Sequence, residues 1–550
     1  MPSHPVACRL FHLLRILRLA AFPLTGLIAS LSGPVFATPV GGDVLVNTTW
    51  DVAGSPFVVV DTVYVRNGAI LTIQPGVEVR LDPNLSILAE DSAIIAVGTP
   101  DSTILFTRNQ PQYWGTLAAF GSNSSMTFRH CVIEWGYQNL VYSPVELEGM
   151  VSHVFATTVI EDCVLRNAGN DGVEFEGGSI MFRRNLVTDV LRQGYNSFSQ
   201  ATGVVEDNRL ESIGNDAFDI TSPNGEEVIF RNNIAVDVGI VDPRGDGVDI
   251  DHTPVFFRFG YFEAYNVSDK GISVSVNSLS VLVENTIIVN AGNGSDENLF
   301  GAAYVVTNNS GMSVFNCVAY GSKRGFLAAQ QNPPYAGANM TVVNSITWNS
   351  ILDPVFVDPI SKMTIINSIL DTPEPYPGQG NLNTDPRFVA PLSNDFRLLS
   401  NSPAIDAGWS DATPEFDIRG NPRVDHPGVV DTGGPPPLTY WDIGAHEFDP
   451  NTTGAGLVPP LARFGLNAYP SPAPGQVHIG FELPDRREVE VTIYDPAGRV
   501  VERLFRGPLG AGRHDVPWFG SGHGRAAGGV YFIRLRAGSD EAIEKLVRVR

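Results

Sequence analysis

Four acidic or imidazole side chains crowd the eight residues GDGVDIDH at 245–252: Asp246, Asp249, Asp251 and His252. Paired carboxyl groups can divide acid and base roles across a glycosidic bond. Outward carboxylates can also supply oxygen ligands to calcium, which takes six to eight of them. Arg244 and Lys270 add cationic groups nearby. Two earlier segments repeat the pattern: NDGVEF (170–175) carries Asp171 and Glu174, and NDAFDI (215–220) carries Asp216 and Asp219. The candidate catalytic residues are therefore Asp246, Asp249 and Lys270. Glu174, Asp219 and His252 are the candidate binding residues. Asp219, Asp246 and Asp249 are the candidate calcium ligands.

Repetition also has a plainer meaning. An Asp ahead of a small residue caps the N–H groups of a turn, which assigns Asp171, Asp216 and Asp246 a backbone role. The next acid in each copy alternates with apolar neighbours and points outward from a strand. Like charges stacked on one face repel, and cations relieve that cost. On this reading the run is mainly a rung of a ladder, with chemistry as the sharper alternative. Arg244-Gly245-Asp246 spells an adhesion tripeptide, but so short a match arises by chance. The ten histidines show no paired ligand spacing, and no phosphate-binding glycine loop, nucleophile elbow or basic-aromatic patch is present.

The elements that position these groups repeat every 20 to 33 residues, as in IEDCVLRNAGNDGVEF (160–175) and VEDNRLESIGNDAFDI (205–220). Equivalent anchors are His130, Asp162, Arg184, Asp207, Asn232, Asn285, Asn316, Asn344 and Asn367, with a looser copy near Tyr265. Apolar residues alternate at period two in each copy, which predicts short strands and excludes amphipathic helices. Such turns bury their inner faces only by stacking on neighbours. The position after each anchor holds Cys131, Cys163, Asn185, Asn208, Asn233, Thr286, Cys317, Ser345 and Ser368, predicting one internal column of small polar groups. The cysteines are then buried fillers, with a Cys131–Cys163 bridge between adjacent turns as the alternative. TPVFFRFGYFEAY (253–265) reads as an aromatic insertion, either packed on the solenoid or offered to sugars.

The run VRNGAILTIQPGVEVRLDPNLSILAEDSAIIAVGTPDSTILFT (65–107) resembles the first turns of bacterial right-handed parallel β-helix proteins of the pectin-lyase type. With the later turns, the resemblance covers roughly 45–370. It implies fold more than activity, because lyases, hydrolases, epimerases, adhesins and inert stalks share the architecture. Polysaccharide lyases of this fold bind calcium on such an acidic face and use Lys or Arg as base, which is what the resemblance implies for the acids and Lys270.

The expected fold is all-β: a right-handed parallel β-helix solenoid over 38–370, followed by a small antiparallel β-sandwich. DPRFV, DFRL, SPAIDAG and DIGAHEF, in that order within 371–448, resemble a segment that often closes bacterial surface β-helices, and predict a loop-rich cap over the open end. Residues 449–464 read as a linker. YDPAGRVV, GRHDVPW, GGVYFIRL and KLVRVR within 465–550 resemble the immunoglobulin-like modules of flagellar-hook capping proteins and of type IX secretion sorting domains. Secretion machinery is the partner this implies.

Residues 1–37 place Arg9, Arg15 and Arg18 before an apolar run and end Val35-Phe36-Ala37, the order of a cleaved secretory signal. No later stretch is long and apolar enough to span a bilayer. A net charge of −23 repels nucleic acid and anionic membranes. These features predict a secreted or outer-surface protein, acting as a noncatalytic carbohydrate-binding or surface scaffold. The alternative is a polysaccharide lyase or glycoside hydrolase at the acidic column of 216–252.

Overall fold

A computed structural model describes residues 37–449 except 138–139, 143–144, 200, 224–227, 293, 295–299, 412–413 and 435–437. It also describes 467–548 except 470–476, 484–486, 496–498, 510–511, 519–528 and 539. The expected signal, apart from Ala37, and the expected linker, apart from Asp449, lie outside the described residues.

The period-two segments form a sheet of 36 strands that winds as a parallel β-helix. Every pairing along the solenoid is parallel, and each turn adds one strand to each of three faces. One face runs through Ser179–Arg183, Thr202–Glu206 and Val228–Arg231. A second runs through Leu186–Val190, Arg209–Ile213 and Asn233–Val238. The third runs through Asp171–Glu176, Tyr195–Phe198, Phe218–Thr221, Val248–Asp251 and Ile272–Ser275, and carries the acids.

The repeat anchors are the corners between the first two faces. All nine have φ between 44° and 57°. One left-handed residue turns the chain from strand to strand, and Asn and Asp adopt that conformation at least cost. The looser copy falls at Tyr261, φ 53°, not near Tyr265. The reason is that 253–265 is no insertion. Phe257–Val267 is one long strand supplying two faces, paired with Phe230 and 233–238 on one side and with Val281–Ala291 on the other. Phe257, Phe259 and Phe262 are buried, and only Phe256 of the run's phenylalanines is exposed.

The position after each corner builds a buried ladder. Asn208 Oδ1 accepts from the Asn185 N–H (3.0 Å) and from Asn185 Nδ2 (3.0 Å). Asn233 Oδ1 does the same for Asn208 (3.1 and 3.0 Å). Ser345 and Ser368 hydroxyls accept from the N–H groups of Cys317 and Ser345, and Asn381 ends the column on Ser368 N–H. Cys131, Cys163 and Cys317 are free and buried, which supports the filler reading over a bridge. Beside this ladder, Phe175, Tyr195, Phe218 and Phe262 pack ring on ring at 5.7, 5.7 and 6.0 Å. Such pairs add about 0.5–1.5 kcal/mol each beyond area burial.

The 371–448 segment behaves differently from an end cap. The bridge of Ile369 to Leu382 extends the final turn. The remainder lies along the second face of the last turns, where Phe388, Phe396, Leu398, Ile405, Ile418 and Ile443 cover Ile287, Val289, Val318, Ile346 and Ile369. Those five residues are apolar on an outward face, and that face requires cover. The corner asparagines fix the segment: Asn344 Nδ2 donates to the Trp409 carbonyl (2.7 Å) and Asn367 Nδ2 to that of Ala407 (2.9 Å).

In the C-terminal portion, three-stranded and four-stranded antiparallel sheets share one core. Val477, Ile479 and Phe481 from one sheet meet Val491, Ile493 and Ile533 from the other.

Candidate functional site

The third face carries two parallel columns. The first lies at the entry to each strand, in the preceding turn except for Asp171, which opens its strand, and runs Asp171, Gln193, Asp216, Asp246, Lys270. Asp171 Oδ1 accepts from the N–H of Gln193 (3.2 Å), Asp216 Oδ1 from that of Asp246 (2.7 Å), and Asp246 Oδ1 from that of Lys270 (3.0 Å). Each carboxylate thus caps the backbone of the next turn, the role its position before a small residue implies. The column ends in an ion pair: Lys270 Nζ lies 3.0 Å from Asp246 Oδ2 and 3.2 Å from Asp269 Oδ2.

The second column points outward from the strands and runs Glu174, Asn196, Asp219, Asp249, Ser273 in successive register. Glu174 is buried and accepts from the backbone N–H groups of Glu148 and Gly149. Asp219 and Asp249 are adjacent and partly exposed. Asp219 accepts only weakly from Thr221 Oγ1 (3.4 Å), and Asp249 Oδ1 is buried without a donor. Asp251 sits beside them and accepts from Ser275 Oγ (2.6 Å).

Burial dominates the electrostatics. It pushes the Glu174 carboxyl up to about 8 against its two backbone donors. Burial and then the Asp249 and Asp251 charges lift Asp219 to about 7. Burial and Asp251 lift Asp249 to about 6, with Lys270 opposing. Asp171 rises to about 6 through burial. Burial opposes the charge on Lys270, but Asp246, Asp269 and Asp249 outweigh it and hold the ammonium well above the ordinary lysine value. A lysine base needs the reverse, a depressed value.

The six expected site residues are therefore divided. Asp246 and Lys270 are bound to each other inside the turn column. Asp219 and Asp249 form an adjacent pair. Glu174 lies beyond Asn196, two strands from Asp219. His252 is an exposed left-handed corner residue, φ 53°, directed by the bend at the strand end. Arg244 pairs with Asp242 (2.7 Å). Asp219, Asp246 and Asp249 do not converge as a ligand set: among the described residues, no three acids of the columns bring ligand atoms within 4.8 Å of one another.

Three participants escape a sequence reading based on acids alone: Gln193, Asn196 and Asp269. Gln193 had a signal. It follows its anchor Arg184 by the interval that separates Asp162 from Asp171 and Asp207 from Asp216. Gln193 Oε1 and Asn196 Oδ1 are, like Asp249 Oδ1, buried acceptors without donors.

A surface depression lies elsewhere, on the first face. It encloses about 460 Å³ and is lined by Phe256, Arg258, Ser280, Leu282, Ser313 and Phe315. Phe256 is exposed and Phe315 half-buried. Arg258 lies over Glu284 at 3.5 Å.

The family model described as "Right handed beta helix region" matches residues 117–263, the turns that contain the acids. No curated protein matches the chain. Among solved structures, the alginate lyase from Paenibacillus sp. str. FPU-7 is similar at 12% identity, over 58% of this chain and 93% of that one, with a TM-score of 0.23. The chain thus contains a right-handed β-helix region within an all-β parallel solenoid, with small antiparallel sheets at its C-terminal end.

Proposed function

We propose that this chain is a secreted or cell-surface β-helix scaffold that binds polysaccharide without cleaving it. The observation that carries the reading is the depression beside Phe256 and Phe315, where aromatic faces stand next to Arg258, Ser280 and Ser313. Aromatic faces stack on sugar rings, and the flanking hydroxyl and guanidinium groups suit their hydroxyls or carboxylates. The acids of the third face are mostly committed to backbone caps and to the Asp246–Lys270 pair, which supports a structural role for that face. The C-terminal sheets serve as the module read by secretion machinery. The test is retention on immobilised acidic polysaccharides. Phe256→Ala with Phe315→Ala weakens binding about fivefold or more, since truncating an anchoring aromatic costs roughly 1 kcal/mol or more. Asp249→Asn leaves binding unchanged. Equal binding by the double alanine variant overturns the assignment.

A second reading has one specific support. Asp219 and Asp249 are in register on adjacent strands, about 4.8 Å apart in backbone spacing. Their carboxyls are raised to about 7 and 6. Retaining glycosidases hold two carboxyls about 5 Å apart and need one protonated near neutral pH. A hydrolase using this pair would have Asp219 as acid and Asp249 as the partner carboxylate. A calcium ion held by the same face, with Lys270 as base, is the lyase form of that reading. The ion pairs of Lys270 speak against it.

A further inference from the structure

A second acidic cluster lies outside the third face, in the segment that covers the flank. Asp406 ends the SPAID stretch, and Asp425 and Asp431 bracket the loop DHPGVVD. One carboxylate oxygen of each lies within 4.8 Å of those of the other two. Asp406 is fully buried, whereas Asp425 and Asp431 are exposed.

The backbone holds Asp406 firmly. Its N–H donates to Asp442 Oδ1 (2.9 Å), and its carbonyl accepts from Thr432 (2.9 Å) and Gly433 (3.2 Å). Its Oδ1 accepts from the N–H of His426 (3.3 Å). Its Oδ2 is buried with no donor among the described residues. An orphaned buried carboxylate oxygen is costly and calls for a partner. Among the described residues, neither a lysine nor an arginine forms an ion pair with any of the three acids. The nearest arginine in sequence, Arg423, is committed to Glu447 at 2.9 Å. Burial, and then the charges of Asp431 and Asp425, push Asp406 up to about 6, although the His426 N–H opposes this.

We propose that Asp406, Asp425 and Asp431 form a calcium site that fastens the 425–433 loop to the flank of the solenoid. Calcium binds oxygens at about 2.3–2.6 Å, so its coordination sphere is about 4.6–5.2 Å across. The three oxygens lie within 4.8 Å of one another, close to that span, so a shift of a few tenths of an ångström by the two exposed side chains brings all three onto one ion. The donor set is oxygen alone, which selects a hard cation over zinc or copper. The ion supplies the missing partner of Asp406 Oδ2 and cancels the mutual repulsion of three carboxylates. Asp406 is continuous with Ala407 and Trp409, whose carbonyls are held by Asn367 and Asn344, so the ion ties an exposed loop to a rigid support.

The test uses the chain from residue 38 onward, stripped with a chelator and then given calcium or magnesium, with amide exchange read across 404–433. Calcium at about ten times its Kd slows exchange there roughly tenfold, and magnesium does so less. Asp425→Asn with Asp431→Asn, both at exposed positions, abolishes that protection and leaves the metal-free melting temperature unchanged or higher. Asp219→Asn with Asp249→Asn retains it. The proposal is overturned if calcium leaves 404–433 unprotected, if magnesium protects equally, or if the Asp425/Asp431 variant is still protected.

Discussion

Replacing Asn208 by Ala removes a single side chain from the middle of the buried ladder. In the native turn its Oδ1 accepts from the backbone N–H of Asn185, and its Nδ2 donates to the Phe182 carbonyl at 2.8 Å. Both partners are internal and lose these bonds in the alanine variant. Each buried polar group left unpaired costs about 1–3 kcal/mol, so the variant loses about 2–6 kcal/mol. That is a large share of the about 5–15 kcal/mol available to a typical domain. Asn208→Ser separates the two contributions, because Ser345 and Ser368 show that a hydroxyl can accept the same backbone N–H. The serine variant recovers the Asn185 bond but not the Phe182 bond, and falls between wild type and alanine. Stacked turns are coupled mainly to their neighbours. The assay is therefore urea unfolding together with native-state amide exchange, which localises the loss to the turns around 182–234. A loss under about 1 kcal/mol for the alanine variant, or a serine variant no better than alanine, refutes the reasoning.

Further expectations concern charge and backbone conformation. Asp219 and Asp249 titrate near 7 and 6 in the folded chain, against about 3.9 in an unfolded one. The folded state binds more protons across that window, so these two groups make stability fall as pH rises from about 4 to 7. Asp219→Asn removes part of the slope, and its melting temperature exceeds that of wild type at about pH 7.5 but not at about pH 4. Arg423 and Glu447 form an ion pair with both side chains buried, so Glu447→Gln costs about 3–5 kcal/mol in urea unfolding by leaving a buried charge uncompensated. Val276 is a β-branched residue at φ 48°. Val276→Asn raises the free energy of unfolding in urea by about 1 kcal/mol, because Asn tolerates that conformation.

Much of the architecture was legible because one device repeats. The corner residue and the small polar residue after it mark nine turns from His130 to Asn367, and period-two alternation marks the strands between them. The rung character of Asp171, Asp216 and Asp246 followed from their place before a small residue. What was not legible depends on which outward faces are covered. Ile287-Ile288-Val289 breaks the alternation and has the form of a strand buried on both sides, yet only the folded chain shows that 385–448 supplies the cover. The aromatic run at 253–265 was misread as an insertion because Tyr261 occupies a corner that elsewhere holds Asn, Asp, Arg or His. Lys270 stood beside the acids in sequence, but its commitment to Asp246 and Asp269 depends on side-chain direction across two turns.

The central claim is that the acids of the third face build the solenoid and do not cut polysaccharide. Its most direct test incubates the chain from residue 38 onward with a panel of acidic and neutral polysaccharides, with and without calcium, and measures new reducing and unsaturated ends. The account predicts neither product with any polymer, including those the protein retains. New ends that disappear in Asp249→Asn, in a variant that still unfolds cooperatively, would contradict it and assign the Asp219–Asp249 pair to catalysis.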